Sequence, residues 1–309
     1  MAIGTHLCDL DDLDAEGIAA VLYTAESMAE ILARPIPRVP ALRGRTVMLL
    51  FYEASTRTRH SFELACKALG ADSVSLAAAT SAVAKGESLV DTVRTARALG
   101  ADAVVLRHPA SGAARLAAAQ GLLPVINAGD GTHAHPTQAL LDLFTVRRHR
   151  GGPAGLRLTI VGDILHSRVA RSSAQAFARM GADVVLCGPA TVLPPEAGAA
   201  LGVRVCHDLN AALRGADVVM ALRIQKERMD GGLLPSAAEY RAGWGLDAER
   251  LAAACPGALL LHPGPVNRGV EVTPDLLDRP ESAVDDQVKA GVAVRMAVLY
   301  MLLEGGAAE

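Results

Sequence analysis

Gly70-Ala71-Asp72, Gly100-Ala101-Asp102, Gly181-Ala182-Asp183 and Gly215-Ala216-Asp217 are four copies of one tripeptide, each followed by a small or β-branched residue and then valine. Glycine tolerates the left-handed backbone just past a helix end. The stretches Ala103-Val104-Val105-Leu106 and Val184-Val185-Leu186 are continuously apolar, as strands buried on both faces of a parallel sheet are. Each copy therefore reads as a helix-to-strand junction. Within each pair the copies lie about 30 residues apart, the length of one strand–helix–strand unit. The fold class expected is α/β, with two domains, each a parallel sheet flanked by helices.

Between the two pairs, Arg147-Arg148-His149-Arg150-Gly151-Gly152-Pro153 interrupts the pattern ahead of a new strand from Leu156 to Val161. A boundary is expected near here, with 1–138 as the first domain and 139–286 as the second. Pro136 to Val146 reads as one amphipathic helix that connects them. Gln287 to Leu303 reads as a closing helix.

The totals agree with two domains, since 309 residues exceed a single core. Hydrophobic residues make up 51% of the chain in short runs, with no membrane-length block, so no membrane partner is expected. A net charge of −3 lacks the basic excess that phosphate-backbone binding requires, so nucleic acid is not an expected partner. The opening Met1-Ala2-Ile3-Gly4-Thr5-His6-Leu7-Cys8-Asp9 does not read as a secretory signal, which makes the cytoplasm the expected location. Cys8, Cys66, Cys187, Cys206 and Cys255 are odd in number and form no Cys-x-x-Cys pair, so reduced, mostly buried thiols are expected. The histidines form no His-x-x-x-His pair, and neither a metal nor an organic cofactor is implied.

Chemistry concentrates after the apolar run Val47-Met48-Leu49-Leu50-Phe51-Tyr52, where Glu53-Ala54-Ser55-Thr56-Arg57-Thr58-Arg59 leads into a helix. Free N–H groups at a helix start, hydroxyls from Ser55, Thr56 and Thr58, and the forked guanidinium of Arg57 together suit phosphate oxygens. The plainer reading makes Ser55 an ordinary N-cap beside solvated arginines. No Gly-x-x-x-x-Gly-Lys-Ser/Thr or Gly-x-Gly-x-x-Gly follows a strand, so the expected ligand is a small phosphorylated compound rather than a nucleotide.

This strand-Ser-Thr-Arg-Thr-Arg-helix passage resembles the carbamoyl phosphate signature of the aspartate and ornithine carbamoyltransferases. Further segments extend the likeness from about Thr46 to Leu303: Ser81 to Leu89, Leu106-Arg107-His108, His135-Pro136-Thr137-Gln138 through Asp142, Gly162 to Ser172, Leu222 to Arg228, and His262-Pro263-Gly264-Pro265 through Gly269. His-Pro-Thr-Gln and His-Pro-Gly-Pro are similar to the aspartate branch. The ornithine branch's His-Pro-Cys-Gln, Ser-Met-Gly and His-Cys-Leu-Pro are missing.

The resemblance implies transfer of a carbamoyl group from carbamoyl phosphate to the amine of L-aspartate, a step of de novo pyrimidine biosynthesis. It makes 1–138 a carbamoyl phosphate-binding domain, with the helix of about 287–303 packing back on it, and 139–286 an aspartate-binding domain. Ser55, Thr56, Arg57, Thr58 and Arg107 would hold the phosphate end, with Ser81 contributing. Thr58, Arg107 and His135 would stabilise the oxyanion, while Gln138 and the carbonyls of Gly264 and Pro265 would receive the carbamoyl amine. Arg168, Arg223 and Gln225 would bind aspartate, Lys85 would touch both substrates, and Glu53 would hold Arg168. A loop from Thr80 to Ser88 would reach a neighbouring subunit, making a homotrimer with shared sites, to which a regulatory chain or a dihydroorotase could be added. Ala84 departs from relatives with a second lysine, and Gly264 from those with leucine. The competing readings are an ornithine-type transcarbamoylase and a catalytically silent scaffolding paralogue.

Overall fold

A computed structural model describes residues 4–77, 86–224, 233–234 and 236–304. The chain divides into two compact units, Met1–Phe144 together with Val288–Glu309, and Thr145–Gln287. The division falls inside the helix that follows His135.

The first unit contains α1 (Ala15–Leu32), β1 (Thr46–Phe51), α2 (Thr56–Leu69), β2 (Asp72–Ala77), α3 (Leu89–Ala98), β3 (Ala103–His108), α4 (Ala113–Ala118) and β4 (Val125–Asp130). α5 (Pro136–Arg150) runs through the division. The second unit holds β5 (Arg157–Val161), α6 (Arg168–Arg179), β6 (Asp183–Cys187), α7 (Glu196–Leu201), β7 (Arg204–Cys206), α8 (Leu209–Leu213), β8 (Val218–Ala221), α9 (Ala237–Trp244), α10 (Ala248–Ala254), β9 (Leu259–Leu261) and α11 (Pro274–Leu277). The closing helix, α12 (Val284–Glu304), lies almost wholly in the first unit.

Both sheets are parallel. Their strand orders are β2-β1-β3-β4 and β7-β6-β5-β8-β9, so a central strand, β1 or β5, is flanked on each side by a strand that begins at a Gly-Ala-Asp copy. Gly70, Gly100, Gly181 and Gly215 all have positive φ, between 70° and 87°, as the helix-to-strand reading requires.

The aspartate of each copy pairs its backbone N–H with the start of the central strand: Asp72 with Arg45, Asp102 with Thr46, Asp183 with Leu156 and Asp217 with Arg157. Two of them add a side-chain bond. Asp102 Oδ2 accepts from the Thr46 N–H at 2.8 Å, and Asp217 Oδ2 accepts from the Arg157 N–H at 2.8 Å. These bonds fix where the central strands enter the sheets, and hence what emerges at their C-terminal ends.

Apolar side chains of β1, β3 and β4, among them Met48, Leu50, Val104, Leu106 and Val125, pack on Val93 and Ala96 of α3 and Ala113, Ala114 and Ala117 of α4. In the second unit Val161, Val185, Val219 and Leu260 pack on Leu209 and Leu213 of α8 and Leu251 of α10. Four cysteines are buried and Cys206 is partly exposed, and all five are free thiols. Burial pushes the thiols of Cys8, Cys66 and Cys187 up to about 12. No helix of the described residues is long and apolar enough to cross a membrane.

Two elements differ in extent from the sequence reading. The basic run Arg147-Arg148-His149-Arg150, read as a break, continues α5 for one more turn, where cations face the negative end of the helix dipole, and Gly151 at φ 82° then ends it. The closing helix starts three residues earlier than Gln287, at Val284.

Asp102→Ala and Asp217→Ala should each lose about 1 kcal/mol of stability, read as a lower urea midpoint. Asp183→Ala removes only a pairing with Arg204 in which both side chains are about half exposed, and is expected to shift stability by less than about 0.5 kcal/mol.

Candidate active site

β1 ends at Phe51, and four residues later Ser55 opens α2 with extended backbone (φ −159°, ψ 94°) and no side-chain cap bond. Six other helices, those that follow Asp14, Ser88, Ser167, Asp208, Ser236 and Asp247, begin with a side chain that accepts from an N–H of the first turn. The Ser55 hydroxyl is therefore not spent on capping its own helix, and it stands at the positive end of a helix dipole. Thr56 and Arg57 are exposed, whereas Thr58 is buried in the first turn.

β3 places Arg107 beside this start. It lies opposite Phe51 in the β1–β3 register, and its carbonyl accepts from the Tyr52 N–H at 2.9 Å. Its guanidinium is held from two sides: Nη1 donates to the Ala128 carbonyl at 3.1 Å, and Nη2 lies 3.6 Å from Glu53 Oε1. Next to it, burial lowers the pKa of His108 below the usual imidazole value.

β4 leads to His135 through a loop organised by Asp130, which is almost completely buried. Asp130 Oδ1 accepts from Asn127 Nδ2 at 2.8 Å and from the Ala134 N–H at 3.1 Å, while Oδ2 accepts from the Gly112 N–H at 2.7 Å. His133 bridges Asp130 Oδ2 at 3.2 Å and Asp9 Oδ2 at 2.9 Å. His135 then stands at the start of α5, buried, with its carbonyl accepting from the N–H groups of Gln138 and Ala139. Gln138 is on the same helix face one turn on, and its Nε2 donates to Asp142 Oδ1 at 2.9 Å.

Thus Ser55 to Thr58, Arg107, His135 and Gln138 all follow or end the adjacent strands β1, β3 and β4, on the side where parallel sheets bind ligands. The sequence reading missed Asp130. Its signal was the flanking Gly129 and Gly131, both at positive φ, in an otherwise apolar strand end.

In the second unit, Arg168 is the first residue of α6, capped by Ser167, whose Oγ accepts from the Ala170 N–H at 3.1 Å. Arg168 is 97% buried, since its exposure is 3%. Arg223 follows β8, the neighbour of β5, and the Leu222 N–H donates to the Val161 carbonyl at 2.8 Å. The two arginines therefore emerge from adjacent strand ends.

A buried carboxylate, Glu271, fastens the segment after Arg223 to the loop that contains Gly264 and Pro265. Glu271 Oε1 accepts from the Ile224 N–H at 2.8 Å and from Asn267 Nδ2 at 2.6 Å, and Oε2 accepts from the Asn267 N–H at 2.9 Å. Burial raises its pKa, partly offset by these donors. Nothing local in Gly269-Val270-Glu271-Val272 announced that role. Gly264 has φ 62°, its N–H donates to His262 Nδ1 at 2.8 Å, and Gly264–Pro265 is a cis peptide. Ser81, Lys85 and Gln225 lie outside the described residues. Among the described residues no cluster of His, Cys, Asp or Glu is arranged to hold a metal ion.

One parallel-sheet unit that gathers anion donors, followed in the same chain by another that gathers two arginines, defines a two-domain α/β protein built for anionic ligands. Comparison with known proteins narrows this class. The family model described as aspartate/ornithine carbamoyltransferase, carbamoyl-P binding domain, matches residues 5–148, and the one described as the Asp/Orn binding domain of the same family matches 154–302. The chain is 58% identical over 304 residues to the aspartate carbamoyltransferase catalytic subunit of Pelotomaculum thermopropionicum, covering 98% of each chain. Its fold is similar to that of Trypanosoma cruzi aspartate transcarbamoylase in complex with carbamoyl phosphate and aspartate (TM-score 0.86, 28% identity, 97% of each chain). It is equally similar to ornithine carbamoyltransferase from Pyrococcus furiosus (TM-score 0.87, 30% identity, 99% of each chain), so backbone shape does not separate the two branches. The chain belongs to the aspartate/ornithine carbamoyltransferase family.

Ser55→Ala separates the two readings of that residue. An N-cap serine contributes about 1 kcal/mol, as expected for Ser167→Ala here. Ser55→Ala should change stability by less than about half that amount while weakening inhibition by inorganic phosphate.

Glu271 gives a pH signature. With its folded pKa raised, its contribution to stability is greatest below its ordinary value of 4.5 and is lost as pH rises through the folded value. The stability gap between wild type and Glu271→Gln should therefore narrow as urea midpoints are followed from about pH 4 to pH 8.

Proposed function

We propose that this chain carbamoylates L-aspartate with carbamoyl phosphate, releasing N-carbamoyl-L-aspartate and phosphate, as a step of de novo pyrimidine biosynthesis in the cytoplasm. The observation that carries the reading is the α2 start, whose N-cap serine makes no cap bond with its hydroxyl, at the strand end that also presents Arg107.

Phosphate sits on the Ser55–Thr58 turn and Arg57, with Arg107 spanning from a phosphate oxygen to the carbamoyl carbonyl. The free α-amine of aspartate attacks the carbamoyl carbon. Negative charge grows on the carbonyl oxygen, where Thr58, Arg107 and His135 donate, and the C–O bond to phosphate then breaks, the amine's proton leaving with the phosphate. Gln138 and the carbonyls of Gly264 and Pro265 receive the carbamoyl NH2. Arg168 and Arg223 bind the two carboxylates of aspartate as forked, bidentate partners, with Gln225 beside them. Glu53 supports Arg107.

Ser81 and Lys85 belong, in this reading, to a loop that completes the site of a neighbouring subunit in a homotrimer. Association with a regulatory chain or a dihydroorotase is a further step that the trimer would permit. The ornithine alternative is disfavoured by Arg168 and Arg223, because ornithine's distal ammonium calls for an acidic partner instead.

The test is a parallel assay with carbamoyl phosphate and either L-aspartate or L-ornithine, following product and phosphate. Product with aspartate alone is expected, and product with ornithine alone would overturn the roles of both arginines. His135→Ala should lower kcat by about 100- to 1,000-fold, the usual loss for one oxyanion donor. Arg57→Ala and Lys85→Ala should each be nearly inactive, and mixing them should restore activity through hybrid trimers. Failure of the mixture to recover would argue against shared sites.

A further inference from the structure

Gln138 can offer a ligand either its oxygen or its nitrogen, and the surrounding charges decide which. Its Nε2 lies 2.9 Å from Asp142 Oδ1, one turn along α5, and Asp142 has no exposed surface. A carboxylate only accepts, so the amide nitrogen is committed inward and Oε1 is the atom left for a ligand.

A cation acts on Asp142 inside the core: Arg295 of α12, which is almost completely buried. Arg295 Nη1 donates to the Gly291 carbonyl at 3.0 Å, and its guanidinium carbon lies 5.2 Å above the Phe62 ring. Burial pulls its pKa down to about 10, and the charge of Asp142 pulls it back up, so Arg295 is a cation at neutral pH with Asp142 as the opposing charge. Gln138, Asp142, Arg295, Gly291 and Phe62 all belong to the first unit.

We propose that Asp142, whose carboxylate accepts the Gln138 amide N–H, is the positioning residue that locks the Gln138 amide with its oxygen toward the substrate, and so makes the site select an acyl phosphate bearing N–H groups over one bearing a methyl group. The proposal rests on the assignment of Gln138 to the carbamoyl amine made above. Carbamoyl and acetyl phosphate have nearly the same shape and the same phosphate. They differ in that NH2 donates to Oε1 whereas CH3 leaves that oxygen unpaired, a mismatch that buried polar sites reject strongly. With the lock removed, the amide can turn either way and the rejection weakens.

The experiment compares kcat/KM for carbamoyl phosphate and acetyl phosphate, both with L-aspartate, in wild type, Asp142→Asn, Gln138→Ala and the double variant, together with the inhibition constant of inorganic phosphate. Asn can face Gln138 with either its oxygen or its nitrogen. We expect Asp142→Asn to reduce the carbamoyl-over-acetyl preference at least tenfold, chiefly through KM for carbamoyl phosphate, with phosphate inhibition within twofold of wild type. The double variant should lose little beyond Gln138→Ala. If Asp142→Asn does not fold because Arg295 is left unpaired, Asp142→Asn combined with Arg295→Met removes that charge and carries the same test. A merely structural role would lower turnover of both acyl phosphates in proportion, and an unchanged preference in a folded variant overturns the proposal. No carbamoyl transfer by wild type would overturn the functional assignment itself, and the proposal with it, whereas normal wild-type transfer with an unchanged preference in the variant overturns the proposal alone.

Discussion

A helix start that its own N-cap serine does not close is the constraint on which the site depends. Among the described residues six other helices satisfy a first-turn N–H with a cap side chain, whereas α2, like the short helices α4, α7 and α11, does not. At the C-terminal end of a parallel sheet, a helix start whose cap hydroxyl is not spent on the helix suits an anion. The neighbouring strands supply what a phosphate alone does not need: Arg107, clamped between the Ala128 carbonyl and Glu53, and His135, delivered by a loop that Asp130 ties at several points. Hydrogen bonds and an ion pair within the protein hold these groups in place, as electrostatic stabilisation of a developing charge requires.

The two units use one plan for two tasks. In each, a central strand is framed by two strands that start at Gly-Ala-Asp, and the polar residues come from the turn after that strand and from the end of a neighbour. In the first unit those positions carry Ser55 to Thr58 and Arg107, and in the second they carry Arg168 and Arg223. The first set combines hydroxyls and N–H groups with arginine, a combination that suits phosphate oxygens. The second relies on forked guanidinium groups, which match carboxylates. The backbone is about equally similar to an aspartate and to an ornithine enzyme, so backbone shape alone does not set the second substrate.

Much of this was legible in the chain because the informative signals are local. The Gly-Ala-Asp copies mark a backbone geometry that glycine alone adopts readily, so they located β2, β3, β6 and β8 before any packing was known. The passage Glu53 to Arg59 and the segment His135 to Gln138 announced themselves by clustering polar groups at strand-to-helix turns. The residues that went unread act at a distance in sequence. Asp130 joins Asn127, Gly112 and the turn to His135, Glu271 joins Ile224 to Asn267, and Arg295 answers the charge of Asp142 from the far end of the chain. No periodicity records such pairings. The extension of α5 through Arg150 has a different cause, since a run of basic residues that resembles a solvated break is also what the end of a helix dipole favours.

The most direct test of the account is a crystal structure with carbamoyl phosphate bound. It should place phosphate oxygens within hydrogen-bond distance of the N–H groups and hydroxyls of Ser55 to Thr58, and the carbamoyl oxygen against Arg107 and His135. Phosphate bound away from the α2 start, with those N–H groups facing only water, would contradict it.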